Sequence, residues 1–146
     1  MGLKHFLAEK GLEADVIVPN DFPKFLKWMP ESKQIIIADY KRKQAGEAIY
    51  HADVIFILDF NASHRSGNLV GPWLEKARAK KILIDHHQQP DNFDFVYSDV
   101  TIPATSQMIY HFIEELGEEN LVNKEIAECL YTGIMTDTGG FRFRST

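Results

Sequence analysis

The feature that most constrains the fold is a set of short apolar runs in which β-branched residues follow one another without polar alternation. These runs occupy residues 16–18, 35–37, 54–58 and 82–84. A strand that is buried on one face alternates apolar and polar side chains, whereas a parallel strand covered on both faces does not. The sequence therefore predicts a parallel sheet buried between layers of helices.

Amphipathic segments separate and follow these runs, as a parallel sheet requires. Gly117 is expected to end the fourth of these helices, and Gly139-Gly140 the fifth. Alternating strands and helices predict an α/β fold with right-handed crossovers, formed by one domain over residues 1–146. The apolar residues at helical spacing are Leu3, Phe6 and Leu7; Ala45, Ala48 and Ile49; Leu69, Trp73, Leu74 and Ala77; Met108, Ile109, Phe112, Ile113 and Leu116; and Ile126, Ala127, Leu130 and Ile134.

The composition argues against several classes of protein. The chain has 146 residues and a formal net charge of -5, which does not favour a broad nucleic-acid-binding surface. Cys129 is the only cysteine, so an internal disulfide is excluded and a cysteine-based zinc site is not expected. No apolar run approaches the roughly 20 residues of a membrane-spanning helix, and the N-terminus lacks the apolar core of a signal peptide. We expect a cytoplasmic domain without a membrane partner.

Acidic residues and histidines follow the predicted strands at the point where each strand ends. Asp59 and Asp85 each come directly after an apolar run, and His86-His87 follow Asp85. Because the carboxyl ends of parallel strands meet at one edge of a sheet, we expect these side chains to converge. Carboxylate and imidazole together favour zinc, manganese or iron over calcium. A third carboxylate, Asp137, precedes Thr138-Gly139-Gly140, where glycines let the backbone approach a ligand.

Each of these residues has a simpler explanation when it is taken alone. An aspartate after a strand is often a turn or helix-cap residue, and adjacent histidines also occur on protein surfaces. The placement of three carboxylates and two histidines at the ends of predicted core elements favours a metal site over turn chemistry alone.

Three blocks of the sequence, in order, resemble the catalytic domain of the DHH phosphoesterase family. Asp85-His86-His87 resembles the run that gives the family its name, residues 58–61 with Arg65 resemble its second motif, and residues 132–139 resemble its fourth. The chain is most similar to the RecJ-like subgroup, which contains short-oligoribonucleotide nucleases (nanoRNases) and phosphoadenosine-phosphate phosphatases. Inorganic pyrophosphatases of the same superfamily are more distant. The resemblance covers essentially the whole chain and implies a Rossmann-like sheet flanked by helices.

The resemblance also implies a centre of two manganese ions, with magnesium as an alternative, and a bridging water that attacks phosphorus in line with the leaving oxygen. By resemblance, Asp59 bridges the ions, and His86 and Asp137 complete the ligands of one of them. His87 is expected to face the scissile phosphate, and Asp85 to orient an imidazole.

Three further residues are expected to bind substrate, again by resemblance. Asn61 and Arg65 are expected beside the substrate, where an arginine can bind phosphate in a bidentate manner. Arg142, just after the fourth motif, is a third candidate, and its alternative role is that of a solvated surface residue.

The family's first motif, a histidine followed shortly by Asp-x-Asp, has no counterpart in this sequence. That motif supplies the remaining metal ligands, and the only early histidine, His5, lies within a predicted helix. We therefore expect a domain that is incomplete at both ends. It begins one element late, and it stops at Thr146 before the smaller C-terminal domain that closes over substrate in the family.

These observations lead to two hypotheses of different classes. The leading one is a metal-dependent phosphoesterase that hydrolyses phosphate esters of small nucleotides or short oligonucleotides, with weak or no activity in this chain by itself. The alternative is a non-catalytic module that binds a nucleotide or a metal, because a fold alone does not determine a function. A dinucleotide-binding domain is disfavoured because no G-x-G-x-x-G follows the first strand. The exact substrate, the polarity on an oligonucleotide and the oligomeric state, with a homodimer as one option, stay open.

Overall fold

The fold is given by a computed structural model that describes residues 1–142. Within this range the strands are β1 (Ile17–Val18), β2 (Ile36–Ile37), β3 (Val54–Leu58), β4 (Lys80–Asp85) and β5 (Phe95–Ser98). The helices are α1 (Gly2–Glu9), α2 (Arg42–His51), α3 (Gly67–Lys76), α4 (Thr105–Glu115) and α5 (Lys124–Asp137). Short 3-10 segments occupy Lys24–Leu26, Ser32–Gln34, Ser63–Ser66 and Glu119–Leu121. None of the helices described here is long and apolar enough to cross a membrane.

All strand pairs are parallel, which confirms the predicted α/β class. β4 lies between β3 and β5 in a three-stranded sheet, and β1 pairs with β2 in a second sheet. Over residues 1–142 the predicted sheet is therefore divided into two pieces. β1 and β2 each contain two residues, fewer than the apolar runs that predicted them.

The apolar runs of the sequence do not predict β5, which is an edge strand. Phe95 is 62% exposed and Val96 is 47% exposed. A strand at the edge of a sheet is not covered on both sides, so its sequence does not need the uniformly apolar pattern of β4, the central strand of this sheet.

Two apolar clusters cover opposite faces of the sheet. One contains residues of α2 and α3 and joins the two sheet pieces, because Ile17 of β1, Ile36 of β2 and Ile55 of β3 all belong to it. The other contains residues of α1, α4 and α5 packed against Phe56 of β3 and Ile84 of β4. Ile55 and Phe56 are consecutive, and consecutive side chains of a strand point to opposite faces. The arrangement of helices on both faces is thus confirmed.

The register of β3 with β4 determines where the acidic residues lie. Leu58 is opposite Ile84, and the backbone N–H of Asp59 bonds to the Ile84 carbonyl at 3.3 Å. Asp59 and Asp85 therefore leave adjacent strands at the same edge of the sheet, as predicted.

The predicted helix ends agree with the structure. Gly117 has a φ of +68° and follows α4 closely, and its backbone N–H bonds to the Glu114 carbonyl. α5 ends at Asp137, shortly before Gly139 and Gly140, which both have positive φ. A left-handed residue after a helix satisfies the last carbonyl groups, and glycine takes that conformation without a steric penalty.

A close approach between α4 and α5 depends on Gly133. A Cβ atom added to Gly133 would lie 2.7 Å from the Cβ of Ser106 and nearer still to its Oγ. We predict that Gly133→Ala lowers the free energy of unfolding, by about 1–3 kcal/mol as for other overpacked sites. Urea denaturation measures this change.

Gly46→Ala is the matched control, because an added Cβ there makes ordinary contacts of 3.6–3.8 Å with Trp73. This variant is expected to be neutral or to gain up to about 1 kcal/mol from the higher helix propensity of alanine. A Gly133→Ala protein as stable as the Gly46→Ala protein would contradict the proposed helix contact.

Candidate metal centre

Asp59 sits at a sharp change of backbone direction after β3. Its φ is +65°, in the left-handed region, where a residue other than glycine is strained by about 1–3 kcal/mol. Its backbone N–H donates to the Ile84 carbonyl and so continues the hydrogen bonding of the sheet. Its exposed carboxylate accepts a hydrogen bond from Thr105 Oγ1 at 3.0 Å. The left-handed backbone at Asp59 and the bond from α4 together place one carboxylate at the edge of the sheet.

His86 presents one ring nitrogen to this carboxylate. Its Nδ1 lies 3.1 Å from the Ile102 carbonyl, and its Nε2 lies 3.4 Å from Asp59 Oδ1. Because a carbonyl only accepts hydrogen bonds, we assign the ring hydrogen to Nδ1, which leaves a lone pair on Nε2 in the neutral ring. A lone pair and a carboxylate oxygen therefore face each other, and a proton or a metal ion between them is required to make the contact favourable.

The spacing of these two atoms fits a divalent ion. Two metal–ligand bonds of roughly 2.0–2.2 Å place their ligand atoms about 3–3.5 Å apart at ordinary coordination angles. The carboxylate and imidazole donors fit manganese, zinc or iron better than calcium. A hydrogen bond from the second nitrogen of a ligand histidine to a backbone carbonyl, as His86 makes with Ile102, is a common feature of metal sites.

His87 is held by the buried carboxylate of Asp85. Its Nδ1 lies 2.7 Å from Asp85 Oδ1, and its backbone N–H donates to Asp85 Oδ2 at 3.2 Å. Asp85 is fully buried, so these bonds satisfy a carboxylate that water does not reach. The bond leaves Nε2 of His87 available to a ligand, and the role of Asp85 in orienting a catalytic imidazole stays a prediction.

The ligand atoms that lie closest together belong to Asp59, His86 and His87, all within 4.8 Å of one another. His87 therefore enters the group as a potential ligand, beside the substrate-facing role that the sequence suggests. Asp137 is not in this group of described residues. Its place as a third ligand of the ion stays a prediction.

Asp137 nonetheless lies within electrostatic range of the group. Loss of surrounding water, followed by repulsion from Asp59, raises its pKa to about 6, although its side chain keeps contact with solvent. His86, His87 and the backbone N–H of Thr105 act in the opposite direction. The metal-free site thus concentrates negative charge that a cation would neutralise.

Asn61 and Arg65, the expected substrate-binding residues, bond to each other at this edge, and Asn61 also links two loops. Asn61 Nδ2 donates to the Gln88 carbonyl at 2.6 Å, which ties the loop after β3 to the loop after β4. Arg65 donates to Asn61 Oδ1 at 3.2 Å, and the rest of its guanidinium group is exposed. Arg142 is exposed and follows α5, and its role in substrate binding stays a prediction.

The sequence pattern did not single out two residues of the β5–α4 connection that contact the group, Ile102 and Thr105. Ile102 acts through a backbone carbonyl, which leaves no trace in the residue type. Thr105 is the first residue of α4, directly after the N-cap Ala104, and a threonine at the start of a helix does not by itself indicate a functional role. Only the packing of α4 beside β3 shows that its hydroxyl bonds to Asp59.

Comparison with known families and structures identifies the domain. The DHH family, N-terminal domain, matches residues 1–134. The chain belongs to the DHH family. The DHH domain is 32% identical over 147 aligned positions to the bifunctional oligoribonuclease and PAP phosphatase NrnA of Thermus thermophilus, covering 100% of this chain and 40% of that protein. These matches confirm the resemblance to the nanoRNase subgroup.

Two other relatives agree with this assignment. The NrnA protein of Bacillus subtilis is 39% identical over 71 residues, which are 47% of this DHH domain and 22% of that protein. The crystal structure of an exopolyphosphatase-related protein from Bacteroides fragilis superposes with a TM-score of 0.94 at 43% identity, covering 97% of this chain and 42% of that one. The DHH domain thus spans about two fifths of its full-length relatives, or less.

Removal of the Asp137 charge is predicted to stabilise the metal-free protein in a pH-dependent way. A carboxyl group whose folded pKa is about 6, above the ordinary 3.8, favours the folded state below pH 4 and loses that contribution as the pH rises through about 6. In the presence of a chelator, the melting temperature of Asp137→Asn relative to wild type should therefore rise between pH 4 and pH 7.

Glu115→Gln is the matched control, because Glu115 is exposed and also ends a helix, α4. It removes a negative charge from a helix C-terminus without touching the metal centre. If Asp137→Asn shows no larger change than Glu115→Gln between pH 4 and pH 7, Asp137 is not crowded by the site.

Proposed function

We propose that this domain belongs to a metal-dependent phosphoesterase that hydrolyses phosphate esters of small nucleotides or short oligonucleotides. The observation that carries the proposal is the pair Asp59 Oδ1 and His86 Nε2, 3.4 Å apart, with His87 beside them. The substrate class is supported by two relatives named as bifunctional oligoribonuclease and PAP phosphatase.

In this proposal Asp59 and His86 hold the ion, and Asp137 is a further ligand from the end of α5. A bound divalent ion supplies Lewis acidity toward phosphate oxygens and lowers the pKa of water. We propose manganese rather than magnesium as the preferred ion, because an imidazole ligand suits manganese better. Asp59 and Asp137 contribute the negative charge that makes a cation favourable at this edge.

His87 is proposed to contact the scissile phosphate. The bond between Nδ1 and the buried Asp85 fixes the plane of the imidazole ring and directs Nε2 away from Asp85. When the ring carries both hydrogens, Nε2–H donates to a phosphate oxygen or to the leaving oxygen. The buried position of Asp85 keeps this orientation independent of solvent.

Arg65 and Asn61 are proposed to position the substrate phosphate. The planar guanidinium group of Arg65 can make two parallel hydrogen bonds to a phosphate. One hydrogen bond from this group to Asn61 Oδ1 holds the Arg65 side chain in place. Arg142 is proposed to add a second positive charge beside a longer substrate.

The remaining ligands of a two-ion centre are proposed to come from outside residues 1–146. In residues 1–142 the edge of β3 that faces away from β4 is unpaired, although Ile55 of β3 and Ile17 of β1 share one apolar cluster. A parallel strand added at this edge would bring its last residues next to Asp59, since parallel strands end at a common edge. We therefore propose that the domain of 1–146 is incomplete as a catalytic unit.

The cellular location and the oligomeric state of the protein also stay proposals. A cytoplasmic location agrees with the free thiol of Cys129. A homodimer is compatible with the exposed edge strand β5.

Manganese-dependent hydrolysis is the direct test. We predict that residues 1–146 alone bind manganese but turn over little or no substrate. A longer protein that adds the upstream His and Asp-x-Asp segment and a closing domain should hydrolyse a chromogenic phosphodiester, a short RNA or a 3′,5′-bisphosphate nucleotide. Product release is measured with and without manganese.

Each outcome distinguishes a two-ion catalytic centre from its alternatives. Full activity of residues 1–146 alone would refute the need for metal ligands from outside these residues. Inactivity of the longer protein on all three substrates, with manganese bound, would favour the non-catalytic binding module.

The two histidines are predicted to have separable roles in the longer protein. His86→Ala should weaken manganese binding and turnover together, whereas His87→Ala should keep the affinity for manganese and lower kcat by about 10²–10⁴-fold, the range for a lost general acid or base. Calorimetry and kinetics measure the two effects. His111→Ala is the control, because His111 pairs with Glu114 on α4, outside the group. Equal loss of manganese affinity in both variants would make His87 a ligand instead.

A further inference from the structure

The segment that connects β5 to α4 contacts two of the three residues proposed to hold the ion, His86 and Asp59. The Ile102 carbonyl faces His86 Nδ1 at 3.1 Å, and Thr105 Oγ1 donates to Asp59 Oδ1 at 3.0 Å. Two ligand candidates that follow different strands are thus oriented by residues 102–105.

We propose that Thr105 is a positioning residue of the metal centre, whose hydroxyl holds Asp59 in place for a divalent ion. The proposal rests on the proposed metal-dependent function. Thr105 touches neither substrate nor ion and acts through the Asp59 carboxylate.

Thr105 binds the Asp59 carboxylate oxygen that faces His86. Asp59 Oδ1, which accepts the Thr105 hydrogen bond, is also the oxygen that lies 3.4 Å from His86 Nε2. Asp59 itself is exposed, so a carboxylate without this bond would be free to rotate toward solvent. The hydroxyl therefore selects one orientation of a side chain that its own burial does not restrict.

The environment of Thr105 makes it suitable for this role. Thr105 is 4% exposed, and Ala104 before it is fully buried, so the start of α4 is fixed by packing. As the first residue of an 11-residue helix, Thr105 also holds the Asp59 carboxylate at the positive end of the helix dipole. This partial positive charge opposes the repulsion between Asp59 and Asp137 that would otherwise drive them apart.

Two substitutions separate the hydroxyl from the shape of the side chain. Thr105→Val keeps the branched shape and removes the donor, and Thr105→Ser keeps the donor and removes a methyl group. We expect Thr105→Val to weaken manganese binding about 10–100-fold, the range for lost partners of metal ligands, and Thr105→Ser to retain wild-type affinity within about threefold. Calorimetry and the electron paramagnetic resonance signal of free manganese measure the affinity.

Thr132→Val is the matched control. Thr132 is half-buried and donates to the Glu128 carbonyl at 2.7 Å within α5, so the variant loses a threonine hydrogen bond that no metal ligand shares. Its manganese affinity should equal that of wild type. In the longer active protein, saturating manganese should restore most of kcat in Thr105→Val, because a positioning residue affects occupancy of the site more than the chemical step.

Crystal structures of the metal-free variants supply a readout that does not require manganese binding. In Thr105→Ser the distance from Asp59 Oδ1 to His86 Nε2 should stay near 3.4 Å. In Thr105→Val the Asp59 carboxylate should rotate away from His86. An unchanged Asp59 in folded Thr105→Val, or equal manganese affinity in Thr105→Val and Thr132→Val, would overturn the proposal. A wild-type protein that binds no manganese would refute the metal centre itself, and the metal-free structures would still decide the role of Thr105.

Discussion

The parallel pairing of β3 with β4 is the constraint on which the rest of the molecule depends. With Leu58 opposite Ile84, both strands end together, and their next residues emerge side by side. Apolar packing on both faces maintains this register, because a shift by one residue would exchange the side chains that face the two clusters. The energetics of an ordinary hydrophobic core therefore determine the position of the polar site.

The site brings together charges that would separate in the absence of the fold. Asp85 is buried and bonded to His87, whereas Asp59 is exposed, strained and bonded to Thr105. Loss of surrounding water and then repulsion from Asp59 raise the pKa of Asp137 to about 6. Such an arrangement is unfavourable without a cation and favourable with one, which is the physical basis for regarding it as a metal centre rather than as a set of turn residues.

Local sequence patterns predicted those features that depend on local physics. The non-alternating runs that became β3 and β4 reflect burial on both faces, and Gly117 reflects the steric freedom that a helix end requires. Asp85, His86 and His87 were recognisable because they adjoin one another. β5 was missed because an edge strand lacks the uniform apolar pattern. The sequence did not predict that the strands form two separate sheets, because the residues of one strand do not specify which other strand it pairs with.

By itself, the sequence determined the α/β class, the helix positions and the residues available to bind a metal, because periodicity and residue type act over a few neighbouring positions. Only the tertiary structure decided which of those residues meet. Asp59 and Thr105 are 46 positions apart, and their contact depends on the packing of α4 against the sheet. The fold also brings His87, and not Asp137, into the group of closest ligand atoms. Distances of this kind depend on how all side chains of the core pack together, and a short segment of sequence does not determine that packing.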